Sequence, residues 1–124
     1  MTFTILAKPV TKKNSQRIVQ SRGRAFILPS KAYIEYETVA QFYLPPLVEP
    51  ISTPVEVTAK FFMPTRRKVD LTNLLEALDD TLVKGGVLAD DNSSIIVSHD
   101  GSRVYYDKDN PRTEVTIREV SSEE

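Results

Sequence analysis

Five leucines constrain the middle of this chain more than anything else in it. Leu71, Leu74, Leu75, Leu78 and Leu82 recur at i, i+3, i+4, i+7 and i+11. On a 3.6-residue helix this is one apolar stripe, which is satisfied only by packing against a second layer. Thr72, Asn73, Glu76 and Asp80 are placed on the opposite side, with Asp79 at its flank and Asp70 at the N-terminus. Beyond Gly85-Gly86 the chain returns Asp90-Asp91-Asn92, so six carboxylates gather on one helix and its following loop.

One reading is a solvated helix face whose first-turn Asp complements the helix dipole. Neighbouring carboxylates repel, however, unless cations offset them. Oxygen ligands with no Cys or His among them suit Mg²⁺ or Mn²⁺, which complete their shells with water and phosphate oxygen. Phosphate chemistry follows from that donor set, and Asp70, Asp91 and one helix carboxylate would suffice to hold a metal.

Strand signals surround the helix. Phe3, Ile5 and Ala7 alternate with Thr2, Thr4 and Leu6 before Pro9, and Val55, Val57, Ala59, Phe61 and Met63 alternate in a stronger strand closed by Pro64. Ser21-Arg22-Gly23 between two β-prone runs predicts a hairpin over Arg17–Gln20 and Arg24–Leu28. Ser30 is placed to cap a helix running to about Tyr43, with Tyr33, Tyr36, Ala40 and Tyr43 along one side. That stripe suits core or dimer contact, or stacking on bases. Ile95 to Val97 begins a strand carried on to Val104–Tyr106 across a turn or bulge at Asp100-Gly101, and Thr113, Val115 and Ile117 mark a last one.

The pattern predicts an α+β domain: a mixed, mainly antiparallel sheet with two main helices, spanning residues 1–120 and followed by a frayed tail at 121–124. Asp70 lies just past one strand and Asp90-Asp91 just before the next, so both can converge at one sheet edge. For His99, two roles stay open: positioning a phosphate or water together with Arg103, or capping a strand beside Asp-Gly turn chemistry.

The net charge of −1 conceals two unlike halves. Residues 1–68 hold 11 Lys and Arg against 4 Asp and Glu, whereas residues 69–124 hold 5 against 13. The first half can hold a polyanion while the second holds a metal. There is no cysteine, so disulfides and thiolate metal sites are excluded. No stretch reads as a signal peptide or a membrane span, and the expected location is cytoplasmic.

The ordered set Arg66-Arg67, Asp70, Asn73, Ala77, Asp80, Leu82, Gly86 and Asp90-Asp91 resembles the RusA family of Holliday junction resolvases. The N-terminal Lys-Pro-Val-Thr-Lys-Lys-Asn-Ser and the terminal basic-Tyr and Pro-Arg-Thr strands look like its phage-type branch. The resemblance implies a RusA-like homodimer that resolves four-way DNA junctions by paired symmetrical hydrolysis in recombination and repair. Mg²⁺ or Mn²⁺ would be the cofactor, branched DNA the partner, and neither a membrane nor a small-molecule cofactor would be involved.

The resemblance implies Asp70 and Asp91 as metal ligands; with the other carboxylates of the acidic stretch, the candidates are Asp70, Glu76, Asp80 and Asp91 as catalytic residues and Asp70, Glu76, Asp90 and Asp91 as metal ligands. Lys8, Lys12, Lys13, Asn14, Arg17, Arg66, Arg67, Lys68, Asn73 and Arg103 would hold DNA. Two positions depart from the family pattern: Thr72 stands where it has a second Asp, and Glu76 where it has a catalytic Lys. Glu76 keeps the acidic count, and Lys84, Lys12 or Lys13 are candidates for the displaced cation. The departures leave a second reading, a junction-binding or structural DNA protein with a degenerate site, and a third, a divalent-cation module without nucleic acid.

Overall fold

The run whose alternation most strongly predicts a strand becomes the centre of the sheet. In the computed structural model, which describes residues 1–12, 17–28 and 30–120, this is strand β4 (Val55–Met63). Preceding it are β1 (Thr2–Ile5), β2 (Arg17–Ser21), β3 (Arg24–Leu28) and helix α1 (Lys31–Ala40), which runs into a 3-10 turn at Gln41–Tyr43. After it come α2 (Leu71–Lys84), β5 (Ile96–Ser98), β6 (Arg103–Tyr106) and β7 (Arg112–Glu119). The predicted tail at 121–124 lies outside the described residues, and no helix among them is long and apolar enough to cross a membrane.

The sheet is mixed, with order β1-β7-β4-β5 and β6 also paired to β4. β7 runs antiparallel to both β1 and β4. On the other side of β4, β5 pairs with its first residues and β6 with Lys60 to Met63, both parallel. Of the turn or bulge expected at Asp100-Gly101, the structure has the turn: His99–Ser102 separates β5 from β6, which are two strands. Gly101 takes φ +83 there, as a type II turn requires at its third residue. The separate β2–β3 hairpin turns through Arg22 and Gly23, both at positive φ, the geometry of a two-residue type I′ loop.

The leucine stripe does what its spacing demands. Leu74, Leu75, Leu78 and Leu82 are buried with Val55, Val57, Ala59, Phe61, Val115 and Ile117, so α2 covers one face of the sheet. Its C-terminus closes in a Schellman motif, in which the Val87 N–H donates to Leu82 O at 2.9 Å and the Gly86 N–H to Val83 O at 3.1 Å. Gly86 supplies the left-handed residue, at φ +76. Ser30 caps α1 as predicted, its Oγ accepting the Tyr33 N–H at 3.2 Å. Tyr33 and Tyr36 are buried in the fold, which removes them as base-stacking surfaces.

Parallel pairing also changes where the carboxylates fall. The end of β4 that leads to Asp70 and the start of β5 that follows Asp91 lie at opposite ends of a parallel pair, so the strand ends alone do not bring the two carboxylates to one sheet edge. Helix α2 connects them by running back across the sheet.

Candidate active site

Asp79 and Asp80 are adjacent on α2, yet the 100° step between helical neighbours sends them to opposite flanks. On the first flank, Asp79 Oδ2 meets His99 Nε2 at 2.8 Å while His99 Nδ1 lies 2.9 Å from the carbonyl of Val57. A carbonyl can only accept, so Nδ1 carries a proton. The Nε2 contact then holds one further proton, shared between imidazolium–carboxylate and imidazole–carboxylic acid forms.

Two hydrogen bonds anchor the turn that presents His99. Thr58 Oγ1 donates to Asp100 O at 2.8 Å, and the Ala59 N–H donates to Ser102 Oγ at 3.0 Å. Asp79 is only 13% exposed, and its other oxygen, Oδ1, is buried without a hydrogen-bond partner. Burial holds its carboxyl above the usual range; His99 pulls it back, and the negative charge of Asp91 pushes it further up. The His99 imidazole is raised above 6.5, chiefly by its bond to Asp79. Asp91 thus acts on the third turn of α2, whereas Asp70 leads the first, nine residues or about 13 Å away along the axis.

On the second flank Asp80 is not a free carboxylate beside Glu76, as the sequence predicts. Its Oδ2 accepts from the Tyr33 hydroxyl at 2.6 Å and lies 3.1 Å from Lys84 Nζ and 3.5 Å from Lys12 Nζ. Lys84 also reaches Glu37 at 3.2 Å, and both lysines sit over the Tyr33 ring. Burial works against ionisation of Asp80, but the Tyr33 hydroxyl and the two lysines outweigh it and leave the carboxyl lowered. The same contact, together with burial, drives the Tyr33 phenol far upward. Lys12 and Lys84, both candidates for the displaced cation, are committed to this flank.

Asp70, Glu76, Asp90 and Asp91 are exposed. Asp70 Oδ2 accepts from Asn73 Nδ2 at 3.2 Å, which ties up one member of the predicted DNA set. Asp90 Oδ1 accepts the Asp91 N–H at 2.7 Å. Among the described residues, no three Asp, Glu or His side chains stand together in a group able to hold a metal ion, so the predicted quartet is not assembled as a cage. The donors themselves, exposed carboxylate oxygens, still suit Mg²⁺, which takes one or two carboxylates and fills its shell with water and substrate phosphate.

Of the basic set, Lys8, Arg66, Arg67, Lys68 and Arg103 are exposed. Lys13 and Asn14 lie outside the described residues, and Arg17 opens β2. Arg66 covers the ring of Tyr106 at 4.3 Å and Arg103 that of Tyr105 at 5.8 Å.

The family model of endodeoxyribonuclease RusA matches residues 7–118, through the basic first half, the acidic helix and the last strand. This chain belongs to the RusA family. No curated protein matches it. A RusA-family chain is an endodeoxyribonuclease of the Holliday junction resolvase class, which acts on branched DNA in recombination. The RusA motif residues that the sequence singles out divide between the flanks, Asp91 acting on the Asp79 side and Asp80 held by lysines. Sequence reasoning missed the Asp79–His99 pair and the role of Lys84. Lys84 had a local signal, its i,i+4 spacing from Asp80 on the same helix; for the Asp79–His99 pair the local signal was a lone His next to an Asp-Gly turn, and nothing in the sequence says that this turn lies against the third turn of α2.

Proposed function

We propose that this RusA-family chain is a Mg²⁺- or Mn²⁺-dependent nuclease that works as a homodimer, resolving four-way junctions by two symmetrical phosphodiester cuts. The carrying observation is the family match over residues 7–118, which takes in both the basic surface and the exposed carboxylates. A bound divalent ion would make the attacking water more acidic and offset charge on the phosphoryl group.

Asp70, Glu76, Asp90 and Asp91 offer the exposed oxygens for that ion. Asp91 leads among them, because it closes the Asp-Asp motif that carries the family resemblance and is exposed to a substrate phosphate. Asp80 is a positioning residue in this reading: it holds Lys12 and so fixes the start of the basic loop against α2. Arg66, Arg67, Lys68, Arg103 and Lys8 hold backbone phosphates. Since the leucine stripe and Tyr33 are consumed in the core, self-association falls to apolar groups left exposed on and after α1, namely Ile34, Val39 and Phe42. A two-fold junction requires two such protomers to be cut symmetrically.

The test compares nicking of a labelled four-way junction with that of a linear duplex, with and without Mn²⁺, for the native chain and Asp91→Asn. Junction-selective, metal-dependent nicking that Asp91→Asn abolishes supports the proposal. The missing three-group cluster favours one rival, a junction binder with a degenerate site. Tight binding without nicking in either metal would establish that reading instead.

A further inference from the structure

Strand β6 pairs with β4 and, among the described residues, has no strand on its other side. Its register places Tyr105 opposite Phe62 and Tyr106 opposite Met63, so the two tyrosines project to opposite faces of this edge. Phe62 and Tyr105 stack with centroids 5.0 Å apart and planes 15° from parallel, and the Arg112 guanidinium covers Phe62 at 3.8 Å. Arg112 is itself fixed by Asp107 at 2.9 Å and Glu114 at 3.1 Å, which makes it a neutralised backing for the stack.

Arg103 and Arg66 differ from it. Each lies over a tyrosine ring, and neither has a carboxylate partner among the described residues. Tyr105 and Tyr106 remain 37% and 41% exposed. Phe62 takes one face of Tyr105 and Arg66 lies over Tyr106, so the edge offers their remaining exposed ring surface beside guanidinium charge that no described carboxylate neutralises.

We propose that this edge binds an unpaired DNA strand at the junction branch point, with Tyr105 and Tyr106 contacting unstacked bases and Arg66 and Arg103 the adjoining phosphates. The proposal rests on the nuclease reading above and deepens it, because it names what distinguishes a branched substrate from a linear one. Bases in a linear duplex are stacked on both faces, whereas at a branch point the arms diverge and stacking continuity is interrupted, so the pairs there can be parted and their bases laid on aromatic rings. Guanidinium over an aromatic ring contributes further to holding a single strand. A second copy of this chain is a poorer occupant. A two-fold contact through this patch would bring the same unneutralised arginines face to face.

The test uses fluorescence titration of three probes: a four-way junction with 2-aminopurine at the branch, a linear duplex of the same sequence, and a dT oligonucleotide of about 20 nucleotides. Tyr105→Ala and Tyr106→Ala should each weaken junction and oligonucleotide binding roughly tenfold, within the ~5- to 150-fold range of one base–aromatic stack. Duplex binding should change less than about twofold, and Tyr105→Phe and Tyr106→Phe should retain affinity. Arg66→Ala and Arg103→Ala should each lower the salt slope by about one. Unchanged affinity for junction and oligonucleotide in both Ala variants overturns the proposal. So does an equal loss on all three probes with a lowered melting temperature, or a change in oligomeric state by light scattering that accounts for the lost binding. Native protein that binds the oligonucleotide through these tyrosines but never nicks a junction sinks the nuclease reading alone. Native protein that binds neither junction nor oligonucleotide sinks both.

Discussion

The two flanks of α2 hold the same residue type one position apart and treat it in opposite ways. Asp79 is held up first by burial, which its one described partner, His99, offsets only in part, and a like charge from Asp91 adds to it, so its carboxyl is raised. Asp80 has a phenol and two ammonium groups on one oxygen, so burial loses and the carboxyl is lowered. What separates them is the supply of cations around each, not burial alone. The Asp79 flank is poised for exchange of a proton and lies within range of the exposed Asp91, while the Asp80 flank is a fixed anchor that draws the basic loop onto the helix.

The largest expected effect comes from breaking the first flank at its exposed end. Asp91→Asn should reduce junction nicking by at least about a hundredfold, or ~2.7 kcal/mol in the barrier, and leave junction binding equal or tighter. It should also lower the Asp79 pKa, since it removes a charge that raises it; ¹³C chemical-shift titration of the Asp79 carboxyl checks this. An Asp79 value unmoved by Asp91→Asn would count against any contact between the exposed carboxylates and this flank.

Removing the partner of Asp79 comes next. His99→Ala leaves a buried carboxylate without its one donor among the described residues, which should cost about 2–3 kcal/mol by urea unfolding at neutral pH. Asp80→Ala should cost less, on the order of 1–2 kcal/mol, because Lys12 and Lys84 are partly exposed and can return to water, which leaves the neutral Tyr33 hydroxyl as the buried group that loses its acceptor. It should also weaken junction binding by freeing Lys12. If Asp80→Ala proved the more damaging to stability, the division into a poised flank and an anchor would be inverted.

The flanks should also respond to opposite ends of the pH scale. A His99 pKa raised in the fold contributes stability that is complete below about pH 6.5 and lost as pH rises through the raised value. Asp79, also raised, acts in the same direction, disfavouring the fold as it ionises above 3.8. Asp80 is lowered, so its contribution is present above 3.8 and lost as pH falls through its depressed value. Chemical denaturation across pH 3–9 should show a decline on the alkaline side that disappears in Asp79→Asn. That variant keeps a hydrogen bond by donating its amide to neutral Nε2. The acid-side decline should soften in Asp80→Asn instead.

The smallest effect sharpens the comparison at Glu76, which is exposed and has no partner among the described residues. Glu76→Gln should leave stability within about 0.5 kcal/mol and raise the Mg²⁺ needed for nicking a few-fold. An unchanged Mg²⁺ requirement would make Glu76 plain surface.

Much of the fold was legible because the signals are local. The leucine spacing determined α2 and its buried face, alternation determined β4 and β7, Ser30 the start of α1, and Arg22-Gly23 the hairpin. Each depends on residues within a few positions of one another. The resemblance carried by Arg66 to Asn92 identified the family, since a motif is itself a statement about order along the chain. The carboxylates and basic residues that could take part were visible as types, while their grouping was not.

Grouping belongs to the tertiary structure. Parallel pairing of β5 and β6 with β4 is decided by contacts some 40 residues apart, and it puts the strand end that leads to Asp70 and the strand start that follows Asp91 at opposite ends of the pair. The contact of His99 with Asp79 crosses 20 positions and that of Tyr33 with Asp80 crosses 47. The sequence by itself determined that adjacent residues on α2 must point about 100° apart. Only the packed neighbours decided that one carboxylate would meet an imidazole and the other two lysines, because a carboxylate's ionisation depends on which charges and how much water surround it once the chain has closed.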